Sequence, residues 1–217
     1  SANGNPASVT LNYDATDASR NYALKLDSAS YITYRDITIT ALNATNARAV
    51  ELANIASYDS ITNCLINSQP STVATNVASA IFANGIRGSN NVIKGNTISN
   101  GTNGIYWSGT GATFLTYDNV IDSNTVNNTF QYGIYIAFNG RLTASRNTVN
   151  VTMPRNATNY GIYSNSSDSA FVYTANKINI EGITAGTTYG MYFTACGGRD
   201  GVRGIIAGNT VTGLTGN

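Results

Sequence analysis

The stretches YGIYIAFNG (residues 132–140), YGIYSNSSD (residues 160–168) and YGMYFTACG (residues 189–197) repeat one pattern, Tyr-Gly-aliphatic-Tyr. Counted from the glycine and including GIY at 104–106, the pattern recurs at spacings of 29, 28 and 29 residues. With alanine in place of glycine it extends upstream to residues 80–82, 49–51 and 23–25. Seven copies fill most of the chain, and self-similarity at such a period is typical of stacked repeats.

A second column, Asn-x-aliphatic, follows the first by 13 to 20 residues in each copy, with Asp36 as its equivalent in the first copy. Its members are Asn63, Asn96, Asn124, Asn147, Asn176 and Asn209. At a sharp bend asparagine tolerates a left-handed backbone, and identical amides one coil apart can hydrogen-bond along a stack. We therefore predict a structural asparagine ladder and not an active site.

The repeat length and the composition together indicate the fold class. A unit of 24–31 residues can hold three short strands and three bends, which is one coil of a parallel β-helix. The chain has nine Leu but many Val, Ile, Thr and Tyr, a balance that favours strands. We predict one all-β solenoid domain over residues 1–217, with about seven coils, in which the aliphatic residue of each pattern points inward and the Tyr that follows it points outward.

A leucine-rich repeat is the competing solenoid, because it too has a period in the twenties and a recurrent Asn. This chain lacks the Leu-x-x-Leu-x-Leu framework and a helical segment in each unit. The sequence therefore favours the β-helix.

The Gly-Ile-Tyr and Asn-Thr-Ile/Val columns resemble the right-handed parallel β-helix repeats of the pectin-lyase-like superfamily, from about Tyr22 to Val211. The resemblance implies a fold more than an activity, because that superfamily holds polysaccharide lyases, glycoside hydrolases, phage tailspikes, adhesins and surface repeats. For its lyases it implies an Arg or Lys base with carboxylates that bind calcium or neutralise a uronic acid. For its hydrolases it implies two or three close Asp residues.

The sequence does not show such a catalytic cluster. There is no His, and the eleven acidic residues are scattered. Lys25 and Glu51 occupy the outward position in the first two copies, where we expect a cross-coil ion pair. Asp118 and Asp122 could hold calcium at a bend only if carbonyl groups converge there. We expect no cofactor, and enzyme activity is the minority interpretation.

The outward aromatic column suggests a binding surface. It consists of Phe82, Tyr106, Tyr135, Tyr163 and Tyr192. Aromatic rings bind the apolar C–H faces of sugars, so this column is a candidate glycan platform. The alternative is that the rings stabilise the sheet by cross-strand contact alone.

A second outward set follows the asparagine column and forms a flat polar strip. It consists of the pairs Thr97/Ser99, Thr125/Asn127, Thr148/Asn150, Lys177/Asn179 and Thr210/Thr212. Regular Thr-x-Thr strips resemble ice-binding faces, although Lys177 interrupts this one. Ice binding is the third functional hypothesis.

Charge and cysteine content restrict the partners. The net charge of +1 gives no reason to expect nucleic acid, and no apolar run is long enough to span a membrane. Cys64 and Cys196 would lie five coils apart, on the order of 24 Å, so we predict that they are not bonded to each other.

Neither end of the sequence shows a cap for the β-helix, so we expect a fragment of a longer chain. The sequence thus predicts a secreted or cell-surface module of a bacterial repeat protein, a stalk or adhesin-like unit that contacts a polysaccharide or surface glycan. The alternative is a non-catalytic or incomplete part of a polysaccharide lyase or glycoside hydrolase.

Overall fold

The computed structural model describes residues 3–151, 155–156, 158–181, 183–198 and 201–213. This part of the chain forms 26 β-strands, nearly all of them in three parallel sheets, and two short 3-10 helices, η1 (Pro6–Ser8) and η2 (Ala18–Arg20). The predicted all-β parallel solenoid is confirmed.

The strands of each sheet come from successive coils. The sheet that carries the Gly-Ile-Tyr pattern, the tyrosine sheet, contains β2 (Leu24–Asp27), β5 (Val50–Ala53), β8 (Ser79–Ile86), β11 (Asn103–Gly109), β15 (Tyr132–Ala137), β20 (Asn159–Asn165) and β24 (Thr188–Thr194). The threonine sheet contains β1 (Thr10–Tyr13), β4 (Thr38–Ala41), β7 (Leu65–Asn67), β10 (Thr97–Ser99), β14 (Thr125–Asn127), β18 (Thr148–Val151), β22 (Lys177–Ile180) and β26 (Thr210–Thr212).

The third sheet lies between these two in chain order. It contains β3 (Thr33–Arg35), β6 (Ser60–Thr62), β9 (Val92–Lys94), β13 (Val120–Asp122), β17 (Thr143–Ser145), β21 (Val172–Thr174) and β25 (Ile205–Ala207). Two small parallel pairs occur at the corners, β12 (Thr116–Tyr117) with β16 (Asn139–Gly140), and β19 (Arg155–Asn156) with β23 (Ile183–Ala185). Seven stacked strands are separated by six steps, so the chain makes about six full turns where the sequence predicted about seven coils.

The register of the tyrosine sheet matches the sequence repeat. The aliphatic residues of the seven copies pair in one line: Leu24, Val50, Ile81, Ile105, Ile134, Ile162 and Met191. Ile105 is fully buried, as are Ile121 of the third sheet and Val126 of the threonine sheet. The core is therefore the axis of the solenoid, filled by one inward column from each sheet.

The glycines of the pattern are required by packing and not by a left-handed backbone. A Cβ on Gly133 would overlap Cγ1 of Val149 and lie 2.6 Å from the Gly161 carbonyl oxygen. Gly104, Gly161 and Gly190 face equivalent side chains of the threonine sheet. These glycines therefore let the tyrosine sheet and the threonine sheet approach each other closely.

The bends before the threonine sheet do contain left-handed residues, one position earlier than the predicted ladder. Asn63 has φ +53° and occupies the same position as Asp36, Gly95 and Ser123. Because Thr97 pairs with Leu65, the residue opposite Asn96 is Cys64. Asn63 is thus a bend residue and lies outside the ladder. The sequence alignment had placed it within the ladder, and this prediction was wrong by one residue.

Candidate functional site

The outward aromatic residues form a continuous surface, here called the tyrosine face, on the tyrosine sheet. Phe82, Tyr106, Tyr135, Tyr163 and Tyr192 are in register along five successive strands. Their rings stack nearly parallel, with centroid distances of 4.3 to 5.4 Å. The tyrosine side chains of this column are partly buried.

A second aromatic column runs beside the first. Tyr132, Tyr160 and Tyr189 stack at 4.9 and 5.0 Å, and each meets a ring of the first column edge-on. These residues are the first Tyr of each pattern, and no role was predicted for them from the sequence. The recurrence of Tyr at this position in three successive copies was the available signal.

The stacking decides which parts of the rings can meet a ligand. Within the column each ring face lies against the neighbouring ring, so ring edges and hydroxyl groups form the accessible surface. Burial first, and the neighbouring tyrosines second, raise the pKa of Tyr132 to about 12 and raise the pKa of Tyr135 as well. A sugar cannot stack on the middle of this column without separating rings that already contact each other.

An ion-pair network continues the tyrosine face toward the first coil. Lys25 lies 3.4 Å from Glu51 and 3.2 Å from Asp27, and Arg48 lies 2.8 Å from Glu51. The Arg48 guanidinium also stacks over the Phe82 ring at 3.6 Å. Lys25 and Glu51 therefore form the cross-coil ion pair that the sequence predicted, and it extends to the first aromatic ring.

The asparagine column forms a buried ladder at the bend before the threonine sheet. The Asn96 backbone N–H and Nδ2 both donate to Oδ1 of Asn124, at 3.0 Å, and Nδ2 also donates to the Ile61 carbonyl oxygen. The same three bonds recur along the ladder through Asn147 and Asn176. Asn209 accepts at its far end. These amides satisfy backbone groups inside the bend.

A second, shorter ladder lies at the bend before the third sheet and was missed by the sequence analysis. The Asp59 backbone N–H donates to Asn91 Oδ1, and Asn91 donates to Asn119 Oδ1 at 3.0 Å. The motif Asn-Val-Ile at residues 91–93 and 119–121 was the available signal. Asp59 is 1% exposed, its Oδ2 has no hydrogen-bond partner, and burial raises the pKa of its carboxyl group.

The polar strip lies on the outer face of the threonine sheet in the predicted register. Thr97, Thr125, Thr148, Lys177 and Thr210 form one line. In the parallel line, Asn150 donates to Asn127 at 3.0 Å and Thr212 donates to Asn179 at 3.3 Å. A depression of about 340 Å³ surrounds Lys177. Ice binding by this strip stays a prediction.

The two aspartates considered for calcium engage separate cations. Asp118 forms a two-bond ion pair with Arg141, at 2.6 and 2.8 Å. Asp122 lies 2.7 Å from Arg146 and 3.5 Å from Lys94. Among the described residues there is no group of three or more His, Cys, Asp or Glu arranged to hold a metal ion.

Glycoside hydrolysis by two carboxylates requires one that keeps its proton until it protonates the leaving group. The pKa of Asp27 is lowered by its hydrogen bonds to Asn54 and Lys25, and the Arg141 side chain lowers the pKa of Asp118. Asp59 has the raised pKa of a general acid, but it is buried beneath the surface. Of the carboxyl groups named here, the one with a raised pKa, Asp59, is the buried one.

Residues 5–178 match the family model described as "Right handed beta helix region". The chain belongs to this right-handed β-helix family. The match supplies the handedness, and with it the predicted right-handed parallel β-helix is confirmed. No curated protein matches the chain significantly.

A catalytic domain of a GH87 α-1,3-glucanase variant, solved in complex with tetrasaccharides, is similar to this β-helix in chain trace. The sequence identity is 12% and the TM-score 0.41, over 94% of this chain and 45% of the other. This chain thus spans less than half of that domain. Within the described residues of the β-helix, no helix is long and apolar enough to cross a membrane.

Proposed function

We propose that this chain is a non-catalytic β-helix module of a secreted or cell-surface protein, a rigid stalk whose surface contacts glycans. The observation that carries the proposal is the coupling of side chains from coil to coil. Rings stack along the tyrosine face, and amides hydrogen-bond along two interior ladders and the polar strip. Such contacts stiffen a rod along its axis, because each coil is tied to its neighbours on more than one side.

The surface chemistry supports the glycan part of the proposal. Asn, Ser and Thr make up 77 of the 217 residues, by our count of 30, 19 and 28, whereas only 11% of the residues are charged. A surface of hydroxyl and amide groups offers both donors and acceptors to sugar hydroxyls. In the described part of the chain, the carboxylates in ion pairs are each held by a cation, and Asp27 and Glu51 share Lys25.

A combined binding and depolymerisation assay tests this function. We expect the native protein to bind at least one immobilised glycan and to leave acidic and neutral polysaccharides at full length, judged by reducing-end release. A matched pair of double variants, Tyr135→Phe/Tyr163→Phe and Thr125→Val/Thr148→Val, removes hydroxyl groups from the tyrosine face and the polar strip respectively. Release of reducing ends would overturn the non-catalytic assignment and indicate that the chain is part of a polysaccharide lyase or glycoside hydrolase.

A further inference from the structure

The corner between the tyrosine sheet and the third sheet has an open groove that the sequence analysis did not identify. In the fourth coil this corner is long, and residues 110–115 form a loop closed by a bridge between Gly111 and Phe114. Two adjoining depressions, of about 260 and 340 Å³, share Arg87. We call them the corner groove; it is lined by Asn54, Ile55, Arg87, Thr110, Phe114 and Tyr117.

The aromatic surface in this groove differs from the tyrosine face. Phe114 in one depression is 67% exposed, and Ile55 in the other is 58% exposed. Neither the Phe114 ring nor the Ile55 side chain is covered by a neighbouring coil as the stacked tyrosines are. An accessible ring of this kind can contact the apolar face of a sugar, which the interior of the tyrosine face cannot do.

The charge in the groove is positive. Arg87 is exposed and forms no ion pair in the part of the chain that the structure describes. The other residues lining the groove are uncharged. Two carboxylates adjoin the groove, and each is paired with a cation. Asp27 accepts a hydrogen bond from Asn54 and pairs with Lys25. Asp118 pairs with Arg141, whose guanidinium stacks over the Tyr117 ring at 4.7 Å.

We propose that the corner groove binds an anionic glycan, with Arg87 on a carboxylate or sulfate group and Phe114 against a sugar ring. A guanidinium group matches the two oxygens of a carboxylate or sulfate and is weakly hydrated, so it suits this contact. Asn54 and Thr110 offer polar groups for sugar hydroxyls. The inference rests on the proposed glycan-contacting function and specifies its site and its class of ligand.

The test uses matched oligosaccharides that differ only in charge. Binding of a galacturonate hexasaccharide, of its methyl ester and of a sulfated hexasaccharide is measured by calorimetry at low and high salt. We expect the charged ligands to bind at least tenfold more tightly than the neutral ester, and that preference to shrink at high salt. Preference between carboxylate and sulfate then identifies the group that Arg87 holds.

Three variants locate the site. Arg87→Gln is expected to weaken binding of the preferred charged ligand about tenfold and Phe114→Ala about fivefold, because each removes one of the two proposed contacts. Arg20→Gln, which removes an exposed arginine of η2 outside the groove, is the matched control and should bind as the native protein does. All three side chains in question are at the surface, so unchanged circular dichroism verifies the fold.

The outcomes separate this inference from the proposed function. If Arg87→Gln and Arg20→Gln bind equally well, the corner groove is not the site, whereas glycan contact by the module stands. Tighter binding of the neutral ester would overturn the inference that the ligand is anionic, whereas the proposed contact with glycans would stand. Absence of binding to any glycan would overturn both.

Discussion

At the scale of single residues, small differences in side-chain size decide how closely the sheets pack. The glycine of each Tyr-Gly-aliphatic-Tyr pattern faces a Val or Ile of the threonine sheet, and an added methyl group would overlap it. The upstream copies have Ala at this position, and Ala49 and Ala80 are fully buried. The same column therefore accepts a methyl group only where its surroundings leave room.

We predict that Gly133→Ala lowers the free energy of unfolding by about 1–3 kcal/mol, because overpacking displaces Val149 or the neighbouring strand. Urea denaturation followed by circular dichroism measures the change. Gly111→Ala is the matched control, since a Cβ there meets no atom within 4 Å. Equal stability of the two variants would mean that the sheets are not packed as closely as described.

The buried Asp59 predicts a pH effect with a definite sign. Because its folded-state pKa is raised, Asp59 stabilises the fold fully only below the unfolded pKa of about 3.8, and that contribution is lost as the pH rises through the folded value. Asp59→Asn removes the charge and supplies the amide that Asn91 carries at the next position of the column. We expect the variant to be more stable than the native protein at pH 7 by about 1–3 kcal/mol.

The difference in unfolding free energy between these two proteins, measured from pH 3 to pH 8, isolates the Asp59 contribution from those of the other carboxylates. It should grow with pH and then level off. A difference independent of pH would show that Asp59 ionises in the folded protein as it does in the unfolded chain.

At the scale of elements, the bends are stabilised by side chains and the strands by stacking. In the middle of the interior ladder, Asn124 accepts two hydrogen bonds from Asn96 and donates to the Ile93 carbonyl oxygen and to Asn147. Its removal would leave a buried N–H and a buried C=O without partners.

We predict that Asn124→Ala lowers the unfolding free energy by about 2–4 kcal/mol, since each orphaned buried group costs about 1–3 kcal/mol. Asn127→Ala, three residues later on the outer face, loses one partly buried bond to Asn150 and should cost less than about 1 kcal/mol. Thermal and urea denaturation of both variants checks the contrast. If Asn127→Ala lowers the unfolding free energy as much as Asn124→Ala does, the buried ladder stabilises the fold no more than the hydrogen bonds on the outer face.

The stacked tyrosines predict instability at alkaline pH. The unfolded chain ionises its tyrosines near pH 10, whereas the pKa of Tyr132 in the fold is about 12, so stability is complete below pH 10 and falls between pH 10 and pH 12. Absorbance at 295 nm should show the stacked rings of the tyrosine face ionising together with the loss of the β-sheet circular dichroism signal. Ionisation of all 14 tyrosines below pH 11 with the fold intact would contradict this expectation.

At the scale of the whole molecule, the number of steps along the axis sets the distances between remote residues. Cys64 lies before β7 in the second coil and Cys196 follows β24 in the seventh, about 24 Å apart at the spacing of adjacent strands. Both are free thiols, as the sequence predicted.

We therefore predict that mild oxidation of the native protein produces no bond between Cys64 and Cys196. Burial raises the pKa of the Cys64 thiol, so Cys64 should react slowly with thiol reagents until the chain unfolds. The partly exposed Cys196 should react sooner. Peptide mapping after oxidation or labelling measures both. An intramolecular Cys64–Cys196 bond in folded protein would contradict the coil register.

The sequence by itself determined the solenoid, the strand that carries each Gly-Ile-Tyr copy, and the residues that point inward and outward. It could do so because period-two alternation and a period of 24–31 residues are local properties of the chain. The same alignment placed Asn63 one residue off, because bend residues and ladder residues are adjacent and both accept Asn. Only the register between coils, which depends on backbone hydrogen bonds across about thirty residues, distinguished them.

Tertiary structure alone decided what the surfaces present. Whether an outward ring exposes its face or covers it against the next ring depends on side-chain packing between coils, so Tyr135 and Phe114 have the same ring type but different accessible surfaces. The corner groove arises where loops of three coils meet, and no local pattern marks it. Burial of Asp59 likewise follows from its place beside Asn91 in the shorter ladder. The sequence around Asp59 does not distinguish it from an exposed bend residue, because its environment is set by the neighbouring coil.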